Sequence, residues 1–96
     1  MIRYNDISLG DAIKLWMKES GLQESIQQSK IASLWDELMG GPISKHTKSI
    51  VLKDSKLFIT VDNPALKNEL HFSRTKIKEM LNRELNEQII TEVFIY

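Results

Sequence analysis

The stretch Lys56-Leu57-Phe58-Ile59-Thr60-Val61-Asp62-Asn63-Pro64 constrains the fold of this chain more than any other. Leu57, Ile59 and Val61 alternate with Phe58 and Thr60, the period of two that sorts side chains onto opposite faces of a strand. Asn63-Pro64 then announces a helix. Asparagine is a favoured N-cap, and proline suits the first helical position, where its missing N–H would have had no partner. The chain must pass from strand to helix within two residues, so it mixes both kinds of structure.

Helical periodicity lies on both sides of that switch. Leu9, Ala12, Ile13 and Trp16 fall at i, i+3, i+4 and i+7, extended by Met17. Ser8 is a candidate N-cap for this helix, with Asp11 three residues on, and Gly21 can end it in the left-handed conformation. A second helix starts between residues 22 and 28, with Ser25 and Gln28 as one capping-box option. Ile31, Leu34, Trp35 and Leu38 repeat the apolar template. By that spacing both Trp16 and Trp35 are read as core residues. Gly40 is a natural helix stop, and Pro42 biases Gly41 towards extended geometry.

Residues 44–53, ending in Ile50-Val51-Leu52, read as a strand with a polar first half. Asp54-Ser55 then turns it into Lys56–Asp62 as an antiparallel hairpin. From Pro64 a long helix runs to about Leu85, with Leu66, Leu70, Ile77, Met80, Leu81 and Glu84 near one face. Phe72 projects to its polar side, which marks either an exposed aromatic or, as the favoured reading, a local break that returns the ring to the core. Ile89–Tyr96 is a third strand of β-branched and aromatic residues. The expected order is α-α-β-β-α-β, an α+β domain with a three-stranded sheet and helices packed on one face. The other face, with Phe58 and Thr60, is left uncovered and is a candidate partner surface.

At 96 residues, 42% of them apolar, the chain suits a single domain spanning 1–96 with one modest core. No cysteine is present, which removes disulfides, thiolate metal sites and cysteine nucleophiles. The first residues lack a secretory pattern, and no apolar run approaches the ~20 residues needed to span a bilayer. The expected location is cytoplasmic.

Enzymatic signatures are poor. His46 and His71 lie on different elements without a second ligand at metal-binding spacing. Ser44 and His46 stand two apart on an extended segment, so a catalytic triad would need an unrelated assembly across the fold. Gly40-Gly41 is too short to cradle a phosphate. No catalytic residue, metal or cofactor is therefore assigned.

Charge is more informative, because its net value of zero is unevenly spread. Residues 1–40 hold four bases and six acids (−2), residues 41–86 nine bases and five acids (+4), and the last ten residues two acids (−2). On a continuous helix, Lys67, His71, Arg74 and Lys78 share a narrow arc. Such a stripe is either a solvated flank or a track for a phosphate backbone, to which Lys45, Lys48 and Lys53 from the preceding strand can add.

Taken together, Trp35, Met39-Gly40, Ile43 and His46-Thr47 resemble the W-x-x-x-h-G-x-x-h-x-x-H-T pattern (h, hydrophobic) of the DciA family, bacterial operators or loaders of the replicative helicase. Leu57–Val61 is similar to that family's L-x-V-x-V strand, Glu69-Leu70 to its E-L pair, and Leu81-Asn82 to its L-N pair. The resemblance spans about Leu9 to Tyr96. It implies a KH-like α+β domain that binds single-stranded or forked DNA weakly and acts with a DnaB-type helicase. Two departures qualify it. The G-x-x-G loop with which KH domains clamp a nucleic-acid backbone is absent. Family members often carry a basic, disordered C-terminal extension that engages the helicase, whereas this sequence closes on the expected strand at Tyr96, so helicase loading by these residues alone is not part of the expectation. The expectation is a non-enzymatic accessory domain of DNA replication, with Lys45, Lys48, Lys67, Arg74 and Lys78 as DNA-contacting residues. The alternative is a protein-interaction or self-association module that uses the uncovered sheet face and has no DNA affinity.

Overall fold

The computed structural model of the chain describes residues 9–96. In chain order these form α1 (Leu9–Ser20), α2 (Leu22–Met39), α3 (Gly41–Lys45), β1 (Thr47–Lys53), β2 (Lys56–Val61), α4 (Pro64–Phe72), α5 (Arg74–Leu85) and β3 (Glu92–Ile95). The candidate N-cap Ser8 lies outside the described residues.

The strand-to-helix switch behaves as its residues dictate. Leu57, Ile59 and Val61 of β2 are buried, and Asn63 caps α4 by accepting a 3.0 Å hydrogen bond from the Leu66 N–H. β1 and β2 pair antiparallel through a two-residue turn in which Asp54 and Ser55 both have positive φ (52° and 65°). That backbone matches the right-handed twist of the flanking strands. β3 pairs with β2 in parallel, giving the order β1-β2-β3. A parallel neighbour needs a long crossover, and α4 and α5 supply it.

α2, α4 and α5 close over one sheet face. Ile31 and Trp35, Leu70, and Ile77 with Leu81 meet Leu52, Leu57, Ile59, Val61, Val93 and Ile95 in one core. The expected class therefore stands: α+β, a three-stranded sheet, helices on one side. Ile31 and Trp35 of α2 are buried, Leu34 and Met39 pack partly buried against the same core, and the apolar Leu22, Ile26 and Leu38 on the same helix remain exposed.

Several sequence expectations are corrected. Trp16 is not a core residue: it is 60% exposed, and Leu9 and Ile13 on the same stripe are 70% and 49% exposed, because α1 packs substantially only against α2. α2 starts immediately after Gly21 (φ 77°), so Ser25 falls in its first turn and no capping box with Gln28 forms. Residues 41–45 are a one-turn helix, not the start of a strand. Pro42 sits in its first turn, where proline is at home, and the extended residue is Gly40 instead (φ 79°, ψ 174°). The long helix is broken at Ser73, whose N–H is shared between the carbonyls of Glu69 and Leu70. A break was expected there, but it does not bury Phe72, which is 80% exposed. The third strand is shorter than expected, since Ile89 and Ile90 precede it as irregular chain.

Candidate nucleic-acid interface

The basic residues are spread over three places in the fold. Lys45 ends α3 and is exposed. Lys48 is the extra residue of a β-bulge near the start of β1, where the register shifts between Thr47 and Ser49. Bulges re-aim side chains. Here Lys48 reaches Asp62 (Nζ to Oδ2, 3.0 Å), while His46 Nδ1 lies 2.8 Å from the other carboxylate oxygen, Oδ1. The hydrogen bond from Lys48, then that from His46, holds the Asp62 carboxyl below its ordinary range. Lys48 thus already has an anionic partner, and of the five assigned basic residues it is the one whose ammonium is engaged by a carboxylate at close range.

The other three lie on α4 and α5. The break at Ser73 interrupts the continuous rotation on which a single stripe depends. It leaves two short pairs at i, i+4: Lys67 with His71 on α4, and Arg74 with Lys78 on α5. Arg74 Nε donates to the His71 carbonyl across the corner (2.9 Å), tying the second pair to the first. At that corner Phe72 stands in solvent, edge-on to the His71 ring at 6.1 Å between centroids. Lys67, His71 and Arg74 are exposed, and Lys78 is half-buried. A base can stack on such a ring while the flanking cations meet its phosphates.

A second surface is the open sheet face. Register places Val51, Phe58 and Phe94 in one row across the three strands. Phe58 stacks on Phe94 (5.2 Å, 13° between planes) and on Tyr96 (6.2 Å, 19°). The face expected to be bare is therefore a short aromatic ladder. Alternation along the last strand puts Phe94 and Tyr96 on one side, but only the register with β2 brings Phe58 to them.

His46-Thr47 and the L-N pair turn out to be structural. The Trp35 indole N–H donates to the Thr47 hydroxyl (2.9 Å), which itself donates to the Ile43 carbonyl (2.8 Å). That chain joins three residues of the family pattern and locks the end of α2 to the α3–β1 corner. Ser44 is held on the same corner by a hydrogen bond from its hydroxyl to Asp36. Asn82, the one buried polar residue among those described, brackets Ile90: its amide donates to the Ile90 carbonyl and its oxygen accepts from the Ile90 N–H, each at 2.9 Å. The irregular approach to β3 is fixed by this clamp. Two further residues had no sequence signal. Gln28 and Glu24, one turn apart on α2, accept from the N–H groups of Leu52 (2.8 Å) and Asp54 (2.9 Å). Gln28 thereby occupies an outward donor of the edge strand β1, and Glu24 one in the hairpin turn that follows it.

These features define a small single-sheet α+β module whose ionisable groups are deployed at its surface. Among the described residues no three His, Asp or Glu side chains converge as metal ligands, and no helix is long and apolar enough to cross a membrane. The family model "Dna[CI] antecedent, DciA" matches residues 8–95, and the chain belongs to the DciA family. It is 33% identical over 89 residues to a Corynebacterium glutamicum (strain R) protein called "UPF0232 protein", covering 93% of this chain and 50% of that one. The chain thus spans about half the length of that relative. No solved structure gives a significant match.

Proposed function

We propose that this chain is a non-enzymatic accessory domain of DNA replication, one that binds single-stranded or forked DNA weakly and works with the replicative DnaB-type helicase. Membership of the DciA family supports the setting. The observation that carries the DNA half is the exposed Phe72 ring at the α4–α5 corner, between Lys67–His71 and Arg74–Lys78. A ring so placed is available for stacking, and stacked bases are worth about 1–3 kcal/mol each by alanine substitution. Lys45, at the end of α3 and apart from this corner, is proposed as a separate phosphate contact. Lys48 serves as one only by leaving Asp62.

Anisotropy of a labelled single strand, titrated at several salt concentrations, tests the reading. Affinity should fall as salt rises, with a log–log slope of about −0.7 per phosphate neutralised. The triple replacement Lys67→Ala, Arg74→Ala, Lys78→Ala should weaken binding of all sequences alike and flatten that slope. Phe72→Ala should weaken it about tenfold or more with the slope unchanged. A folded protein with no binding at low salt would sink the DNA half.

The aromatic ladder Phe58–Phe94–Tyr96 favours a second reading, a protein-interaction face. Capture of the helicase that survives the Lys67, Arg74, Lys78 replacements but fails on Phe94→Ser would favour it.

A further inference from the structure

Among the described residues, α1 carries a run of exposed apolar side chains. Leu9, Ile13 and Trp16 lie on one stripe of α1 and are 70%, 49% and 60% exposed, so a well-formed amphipathic helix has its apolar face in water. A matching surface exists elsewhere in the same chain. Ile26, Ser29, Lys30 and Leu34 of α2, with Leu85 and Ile89, line an open, mainly apolar groove of about 970 Å³ at the edge of the core. Ser25, Ser29 and Ser33 along this side of α2 are small, so a helix can approach α2 closely there.

α1 cannot reach this groove within its own chain. It would have to double back antiparallel along α2, and helical hairpins need about 2–5 connecting residues. Gly21 alone separates Ser20 from Leu22. The result is a projecting helix: the molecule measures 55 × 21 × 20 Å with a radius of gyration of 15.9 Å. A compact chain of this length has about 12–13 Å.

We infer that α1 docks in the α2–α5 groove of a second copy, and that the two copies exchange helices about a two-fold axis. Each copy owns both the helix and the groove, so a reciprocal pair closes and leaves neither unsatisfied. A hinge too short for closure within the chain is the condition that turns such a fit into an exchange between chains. This surface is separate from the Phe72 corner and from the open sheet face.

Sedimentation with the whole chain tests it, with acrylamide quenching as a second readout. Trp35 is fully buried in any case, so a quenchable fraction reports Trp16. The expected wild-type species has twice the 11.1 kDa chain mass, with both tryptophans protected. Ile13→Lys with Trp16→Lys, at solvent-facing positions that should leave the fold intact by circular dichroism, should weaken association at least about tenfold. Inserting Gly-Ser-Gly between Gly21 and Leu22 should give a monomer with Trp16 still protected, because α1 can now close on its own groove. A wild-type monomer at every concentration would overturn the inference. So would a dimer indifferent to the α1 replacements, which would point to the sheet face, or an insertion variant that stays dimeric.

Discussion

Gly40 offers a sharp test of the corner between α2 and β1. With φ 79° and ψ 174° it occupies a region that is essentially closed to residues with a Cβ. Holding alanine there costs about 1–3 kcal/mol. No heavy atom lies within 4 Å of where that Cβ would sit, so the cost is backbone strain without a clash. Restricting the unfolded chain returns about 0.4–1 kcal/mol, which leaves a net loss of about 1–2 kcal/mol for Gly40→Ala. In urea, with a slope of about 1–3 kcal/mol/M for a small protein, the midpoint should drop by roughly half to one molar at unchanged slope. Its neighbour is the control. Gly41 opens α3 at an unremarkable φ, also with no atom within 4 Å, so Gly41→Ala should be neutral or stabilising by about 0.5–1 kcal/mol. Equal effects at the two positions would refute the assignment of strain to Gly40 and, with it, the account of how α2 hands over to α3.

Three further outcomes follow from the same reasoning. Asn82→Ala strips both partners from the buried Ile90 peptide and should cost about 2–4 kcal/mol by urea denaturation; a loss below half a kilocalorie would show that water replaces the clamp. Ser55→Gly relieves the positive φ in the hairpin turn and should raise stability by about 1 kcal/mol, with the β1–β2 register unchanged in an NMR nuclear Overhauser map. The Asp62 carboxyl is held below its unfolded value, so its contribution is fully present above the ordinary carboxylate range and is lost as pH falls through the lowered folded value. Asp62→Asn should therefore be less stable than wild type near neutrality and converge with it in acid; a gap that persists unchanged in acid would rule out the Lys48 and His46 pairing as its source.

The candidate site was only partly legible. Its residues could be named from charge and helical spacing, but the stripe through Lys67, His71, Arg74 and Lys78 assumed an unbroken helix. The break at Ser73 divides it into two pairs and brings Phe72 into the site as an exposed ring. The Trp35–Thr47–Ile43 hydrogen-bond chain was visible only as a spacing pattern, which marked the family without showing that the residues touch.

What the sequence determined by itself rests on short-range chemistry. Asn63-Pro64 begins a helix, alternation at Leu57, Ile59 and Val61 makes a half-buried strand, and Gly21 ends α1, because each acts through the backbone of a few neighbours. Tertiary structure decided the rest. An apolar stripe requires a partner but does not say which, so Trp35 reached the core while Trp16, on an equally regular stripe, did not. α1 packs substantially only against α2, whereas α2 also lies against β1 and α5. The parallel docking of β3 beside β2, and the aromatic ladder it completes, depend on contacts between segments more than thirty residues apart. No local pattern encodes those distances.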